Sequence, residues 1–156
     1  MISLPKPTAQ SFADYVATED ARNDIQLKIR EYCLMLCDAL AQDFVHESIK
    51  RCNFFAANGS ENKEYYEQRV QKLKNGEGHY KFYIESGRKY HKIWMEDTSN
   101  SRSVHAFVDM KTGEVYKPAS VKAPAKGVRF NLLIMKEREF VLENCDWAGG
   151  YLYAKG

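Results

Sequence analysis

Between Val115 and Asn131 the chain reads VYKPASVKAPAKGVRFN, which places four cations, Lys117, Lys122, Lys126 and Arg129, in a segment without an acid. Lysines spaced along an acid-free strap can follow phosphates, and an arginine can grip one phosphate with two parallel hydrogen bonds. Pro118 and Pro124 each remove a backbone donor and disfavour helix at the preceding residue, so the strap is expected to run extended and exposed. The amides near Gly127 can add to an anion site where the next element opens. Aromatic residues fall on the runs beside it. Tyr116 and Trp94, with Phe107 and Tyr90, can stack bases as sheet-borne aromatics do on single strands. The candidate ligand-binding set is therefore Lys117, Lys122, Lys126, Arg129, Tyr116 and Trp94.

Catalytic constellations are weaker. Asp109 and Lys111, joined by Glu96 or Asp97, can imitate a nuclease cluster in which carboxylates hold a divalent ion, although DMKTG also reads as a plain hairpin turn. His91 and His105 fall on adjacent expected strands, without a serine or cysteine nucleophile on a glycine-rich elbow. Cys33 and Cys37 are four apart, but a tetrahedral metal site needs two further ligands, so with Cys52 and Cys145 they read as buried, reduced thiols. No phosphate-binding loop and no dinucleotide fingerprint occurs. The expectation is a binding protein without a cofactor or metal, not an enzyme.

The elements that must position these residues follow from periodicity. Ile25, Ile29, Tyr32, Leu36, Leu40 and Phe44 recur at three and four, an amphipathic helix expected from about Glu19, after Thr18, to about Cys52. AANGS breaks it. Ser60 can cap a second helix through ENKEYYEQRVQKLK, closed at Asn75 and Gly76. From Gly78 the period becomes two: HYKFYIES and KYHKIWMED make one hairpin, SVHAFVD and EVYKPAS another, turning at Gly113. The stretch 128–145 fits either a short helix plus strand or two strands. Residues 1–18 read as an arm with a short turn at AQSFADYV, 19–75 as a helical part and 79–156 as a sheet part of one domain. The fold class expected is α+β: an antiparallel sheet of four or five strands with a long N-terminal helix and a shorter second helix packed on it.

The segment from Ser103 to Leu132, SVHAFVDMKTGEVYKPASVKAPAKGVRFNL, resembles one that recurs in a family of small, uncharacterised proteins of tailed bacteriophages. The likeness extends to KYHKI and GGYLY and leaves the long helix outside. Members of that family commonly carry Trp where this chain has Val121, so one stacking aromatic is absent. The resemblance implies a phage origin and, with it, the host cytoplasm or the virion as the place of action.

Composition bounds the rest. The 156 residues are 44% apolar and 28% charged, the balance of a globular protein. No basic leader with an apolar run and no stretch of membrane-spanning length is present, so neither export nor a membrane is expected. The net charge of +2 conceals an asymmetry: the 22 residues from Val115 to Lys136 carry five cations and no acid. A chain pI near 8.3 is low for a dedicated duplex-DNA protein. Two functions follow as expectations. In the first, a phage accessory protein binds nucleic acid or a phosphorylated nucleotide-type ligand through the basic strap. In the second, it is a protein-interaction module, either a host-takeover or anti-defence inhibitor or a minor virion protein, whose partner is a host or phage protein or a second copy of itself.

Overall fold

The computed structural model describes residues 9–59 and 61–153. The start of the expected arm and the expected cap Ser60 lie outside the described residues. The fold is α+β. A short helix α1 (Ala9–Ala17) leads through Thr18 into α2 (Glu19–Ala57), followed by α3 (Lys63–Lys74). Five strands come next, β1 (Lys81–Ser86), β2 (Tyr90–Glu96), β3 (Arg102–Asp109), β4 (Glu114–Tyr116) and β5 (Phe130–Asn131), and the chain closes with α4 (Met135–Asn144) and a 3₁₀ turn at Gly150–Leu152. The uncertain stretch 128–145 is thus a two-residue strand followed by a helix.

All neighbouring strands pair antiparallel, in the order β1-β2-β3-β4-β5. This meander follows from the two hairpins expected from the alternating runs. One irregularity matters. Ile93 pairs with Ala106 while Trp94 pairs with Val104, so His105 is the extra residue of a bulge. A bulge re-aims a side chain, and here His105 reaches the Tyr151 hydroxyl at 2.9 Å.

The core lies between α2 and the inner sheet face. Ile29, Cys33, Leu36, Cys37 and Leu40 come at three- and four-residue intervals and pack with Ile93, Ala106, Val108 and Val115 of the sheet. Phe130, Val141, Tyr151 and Leu152 close the same cluster from the C-terminal part. A second cluster joins α2 to α3 through Phe44, Cys52, Val70 and Leu73. Tyr80 stacks on Phe44 there with centroids 4.1 Å apart, and Trp147 meets Phe44 edge-on at 5.2 Å.

Two expected boundaries are corrected. The long helix continues past Cys52 to Ala57, because NFFAA holds no breaker, and it ends where Asn58 Nδ2 bonds back to the Phe54 carbonyl. Of the expected stripe, Ile25 is 41% exposed, since the first turns of α2 precede the part that packs on the sheet. Within the arm, AQSFADYV forms α1 rather than a turn.

Candidate functional site at the first hairpin turn

The sheet's outer face is built by register. Glu85, Lys92, Phe107 and Tyr116 lie in one row across β1 to β4, with Tyr83 and Trp94 paired in the next row. Alternation along each strand sends these side chains away from α2. The face is aromatic and cationic together. Lys92 Nζ stands 5.7 Å from the ring centres of both Trp94 and Phe107, Lys89 Nζ 5.4 Å from Tyr90, and the Arg102 guanidinium 3.9 Å from Trp94. Tyr90 meets Phe107 and Tyr116 edge-on, at 5.6 and 6.1 Å.

The strap departs from an extended crossing. Pro118 and Pro124 form an antiparallel bridge, Ala125 N donates to the Lys117 carbonyl at 2.8 Å, and Ala119 N donates to Ala123 O at 3.0 Å. Ser120 Oγ accepts from the amides of Lys122 and Ala123, both at 3.2 Å. The segment is a small hairpin whose tip carries Val121 and Lys122. The two prolines sit where the local ladder spares their missing N–H groups, so residues that bar a helix still permit this fold-back. Gly127, at φ +100°, is the corner where the strap turns back toward β5.

Fold-back brings Lys122 to the β1–β2 turn. A recess of about 310 Å³ opens between them. Arg88, Lys89, Lys92 and Lys122 line it, Tyr90 supplies a half-buried ring over the wholly buried Phe107, and Glu85 is its one acid. None of the four cations forms an ion pair among the described residues. Their fields therefore add in a concave site beside low-dielectric rings, which concentrates positive potential.

The expected site residues divide. Lys122 lies in the recess, and Tyr116 is half-buried in the same row as Phe107. Lys126 is exposed beyond it. Lys117 lies over the Tyr153 ring at 4.7 Å. Arg129 is turned inward, with Nε donating to the Leu152 carbonyl at 2.6 Å. Trp94 is only 5% exposed beneath Arg102, and its Nε1 has no hydrogen-bond partner among the described residues. The strap cations and the two aromatics thus do not form one surface, which corrects the sequence expectation. Arg88, Lys89 and Lys92 were missed, although SGRKYHK, with three cations in five residues around a turn, is the signal that carries them.

The nuclease cluster does not assemble. Asp109 Oδ1 accepts from the amides of Lys111 and Thr112, and Asp97 Oδ1 from those of Ser99 and Ser101, so both carboxylates hold turns. Asp109 pairs with Tyr90 at one end of β2 and Glu96 is at the other, a separation of about 20 Å at strand rise. No cluster of three metal-ligating residues occurs among the described residues. The histidines take separate partners: His105 meets Tyr151, while His91 Nδ1 lies 2.6 Å from Ser86 Oγ. Burial lowers the pKa of His91, helped by the Arg30 charge, and burial brings His105 down to about 4. All four cysteines are buried and free, and burial raises the Cys33, Cys37 and Cys145 thiols to about 12.

The site and fold together define an α+β protein with a basic, aromatic-edged recess at a hairpin turn. It belongs to the family of unknown function DUF7717, whose family model matches residues 12–154. No curated protein and no solved structure matches the chain. No helix among the described residues is long and apolar enough to cross a membrane.

Proposed function

We propose that the protein binds a phosphorylated, nucleotide-type ligand, foremost single-stranded nucleic acid, at the recess between the β1–β2 turn and the strap. The observation that supports it is the convergence of Arg88, Lys89, Lys92 and Lys122, without ion-pair partners, on one recess edged by Tyr90 and Phe107. Cations beside rings suit a strand whose phosphates and bases alternate, since the cations take phosphates and the half-buried rings of Tyr90 and Tyr116 offer their exposed parts to bases. The local character of the basic surface favours single strands over duplex. In this reading the protein is a bacteriophage accessory factor acting in the host cytoplasm.

Fluorescence anisotropy with labelled single-stranded DNA, single-stranded RNA and duplex DNA, at low and near-physiological salt, tests it. The reading expects single-strand binding whose log affinity falls with log salt at a slope no steeper than about −3, four phosphates at most. Lys92→Ala/Lys122→Ala should lose binding and Lys126→Ala should keep it. A folded wild type that binds none of the three overturns the reading.

One observation favours the protein-interaction reading. Phe12, Tyr15, Val16 and Leu27 of α1 and early α2 are 48–68% exposed, which is unusual for large apolar side chains grouped on one segment. Sedimentation of the purified protein checks its self-association arm: a dimer lost in Phe12→Ser/Tyr15→Ser supports it, and a monomer at all concentrations removes that arm.

A further inference from the structure

A second recess, of about 420 Å³, lies on the opposite side of the β1–β2 hairpin end, between it and α2. Asn23, Gln26 and Arg30 reach it from α2, Ser86 and His91 from the hairpin, and Leu27 and Met110 form its apolar walls. Ser86 borders this recess and the basic one alike. The two are therefore neighbours around a single turn, with different chemistry. The first gathers four cations, whereas the second offers apolar walls with two carboxamides, a hydroxyl and one guanidinium.

We infer that the second recess is a nucleobase pocket that receives a base of the strand whose phosphates occupy the basic recess. This inference rests on the reading proposed above. Its volume lies within the usual range of small-ligand sites, which pair apolar walls with a few placed polar groups. Carboxamides present donor and acceptor side by side and so match the edge of a base, which carries both. Leu27 and Met110 supply contact for the base faces. Ser86 is held by His91 across the β1–β2 register, where Ser86 and His91 are direct partners. His91 is buried and its pKa lowered, so at neutral pH the ring is uncharged and its Nδ1 can accept the serine proton. The hydroxyl oxygen is then left to accept from a base amine. Arg30 keeps the mouth suited to the anionic strand without adding a fifth cation to the first recess.

The test uses full-length protein and labelled octamers: the four DNA homopolymers and an abasic octamer with the same phosphates. The pocket predicts that at least one homopolymer binds about tenfold more tightly than the abasic strand, about 1.4 kcal/mol. Asn23→Ala/Gln26→Ala should bring that homopolymer down to the abasic affinity and leave the salt slope unchanged, because no charge is removed. Asn23 is exposed and Gln26 half-buried on a helix, and neither belongs to the core, so the variant is expected to fold, and circular dichroism checks it. Equal binding of all five strands, or a variant that keeps the preference, overturns the pocket while leaving the phosphate reading intact. Binding of none of the strands overturns both.

Discussion

Arg129 Nε donates to the Leu152 carbonyl across 2.6 Å, so one of the four strap cations fastens the C-terminal turn to the sheet edge. Its amide also donates to the Val115 carbonyl, at 2.7 Å. Arg129→Ala should therefore destabilise the fold by about 2 kcal/mol, the usual size for a charge-assisted hydrogen bond, or roughly 4–8 °C in Tm. Lys126→Ala should leave Tm within about 1 °C. Thermal denaturation of the two variants separates the roles; equal Tm values would show that Arg129 is an ordinary surface cation.

His105 gives the stability a pH dependence. Its folded pKa of about 4 lies below the ordinary 6.5, with burial as the main cause and Asp146 opposing it. A depressed histidine binds its proton more readily in the unfolded chain. Stability is therefore full above pH 6.5 and declines as pH falls toward 4, by about 3 kcal/mol over the whole window. Urea midpoints between pH 7 and pH 4 should fall accordingly, and His105→Gln should flatten that slope. A wild type whose midpoint stays level over that range contradicts the assignment.

The thiols should be silent in the native state. With Cys33, Cys37, Cys52 and Cys145 all buried, a thiolate-selective disulfide reagent at pH 8 should react only as the protein opens. The expected titration is less than one thiol in the first minutes natively and four in denaturant. Rapid native modification of Cys33 or Cys37 would place them in an accessible environment.

Gly113 closes the β3–β4 turn at φ +76°, and an added Cβ would come within 3.1 Å of Leu133 Cγ and 3.3 Å of the Leu133 amide. A side chain there meets both backbone strain and crowding. Gly113→Ala should cost about 1–3 kcal/mol, measured by chemical denaturation. The change also loosens the end of β5, because the amide of Leu132, the residue that follows it, donates to the Gly113 carbonyl at 2.9 Å.

Much of this architecture was legible because it is periodic. Ile29, Leu36 and Leu40 announce a helix face, and alternation in HYKFYIES and KYHKIWMED announces the first hairpin. Helix α4 was less legible because LLIMKEREF carries apolar residues out of helical phase: Ile134, Met135 and Phe140 are all exposed. The site was the least legible part. Lysine spacing revealed a basic strap, but not that Pro118 would bridge Pro124 and carry Lys122 onto the turn at Arg88 and Lys89. That contact joins segments more than thirty residues apart. Trp94 misled for a related reason: an alternating strand does not say whether its outward aromatic will be roofed by a neighbour such as Arg102.

The strand order has a kinetic consequence. Each strand pairs with its neighbour in sequence, so the sheet can form by successive short loop closures, the fast class of contact. Docking the C-terminal part against the long helix is different, because the bond from the Trp147 amide to Asp43 Oδ2 spans 104 residues. Sealing that contact closes about two thirds of the 156-residue chain into a loop. The sheet should thus be structured before the Asp43–Trp147 contact forms, with Asp43→Asn speeding unfolding while leaving the folding rate nearly unchanged.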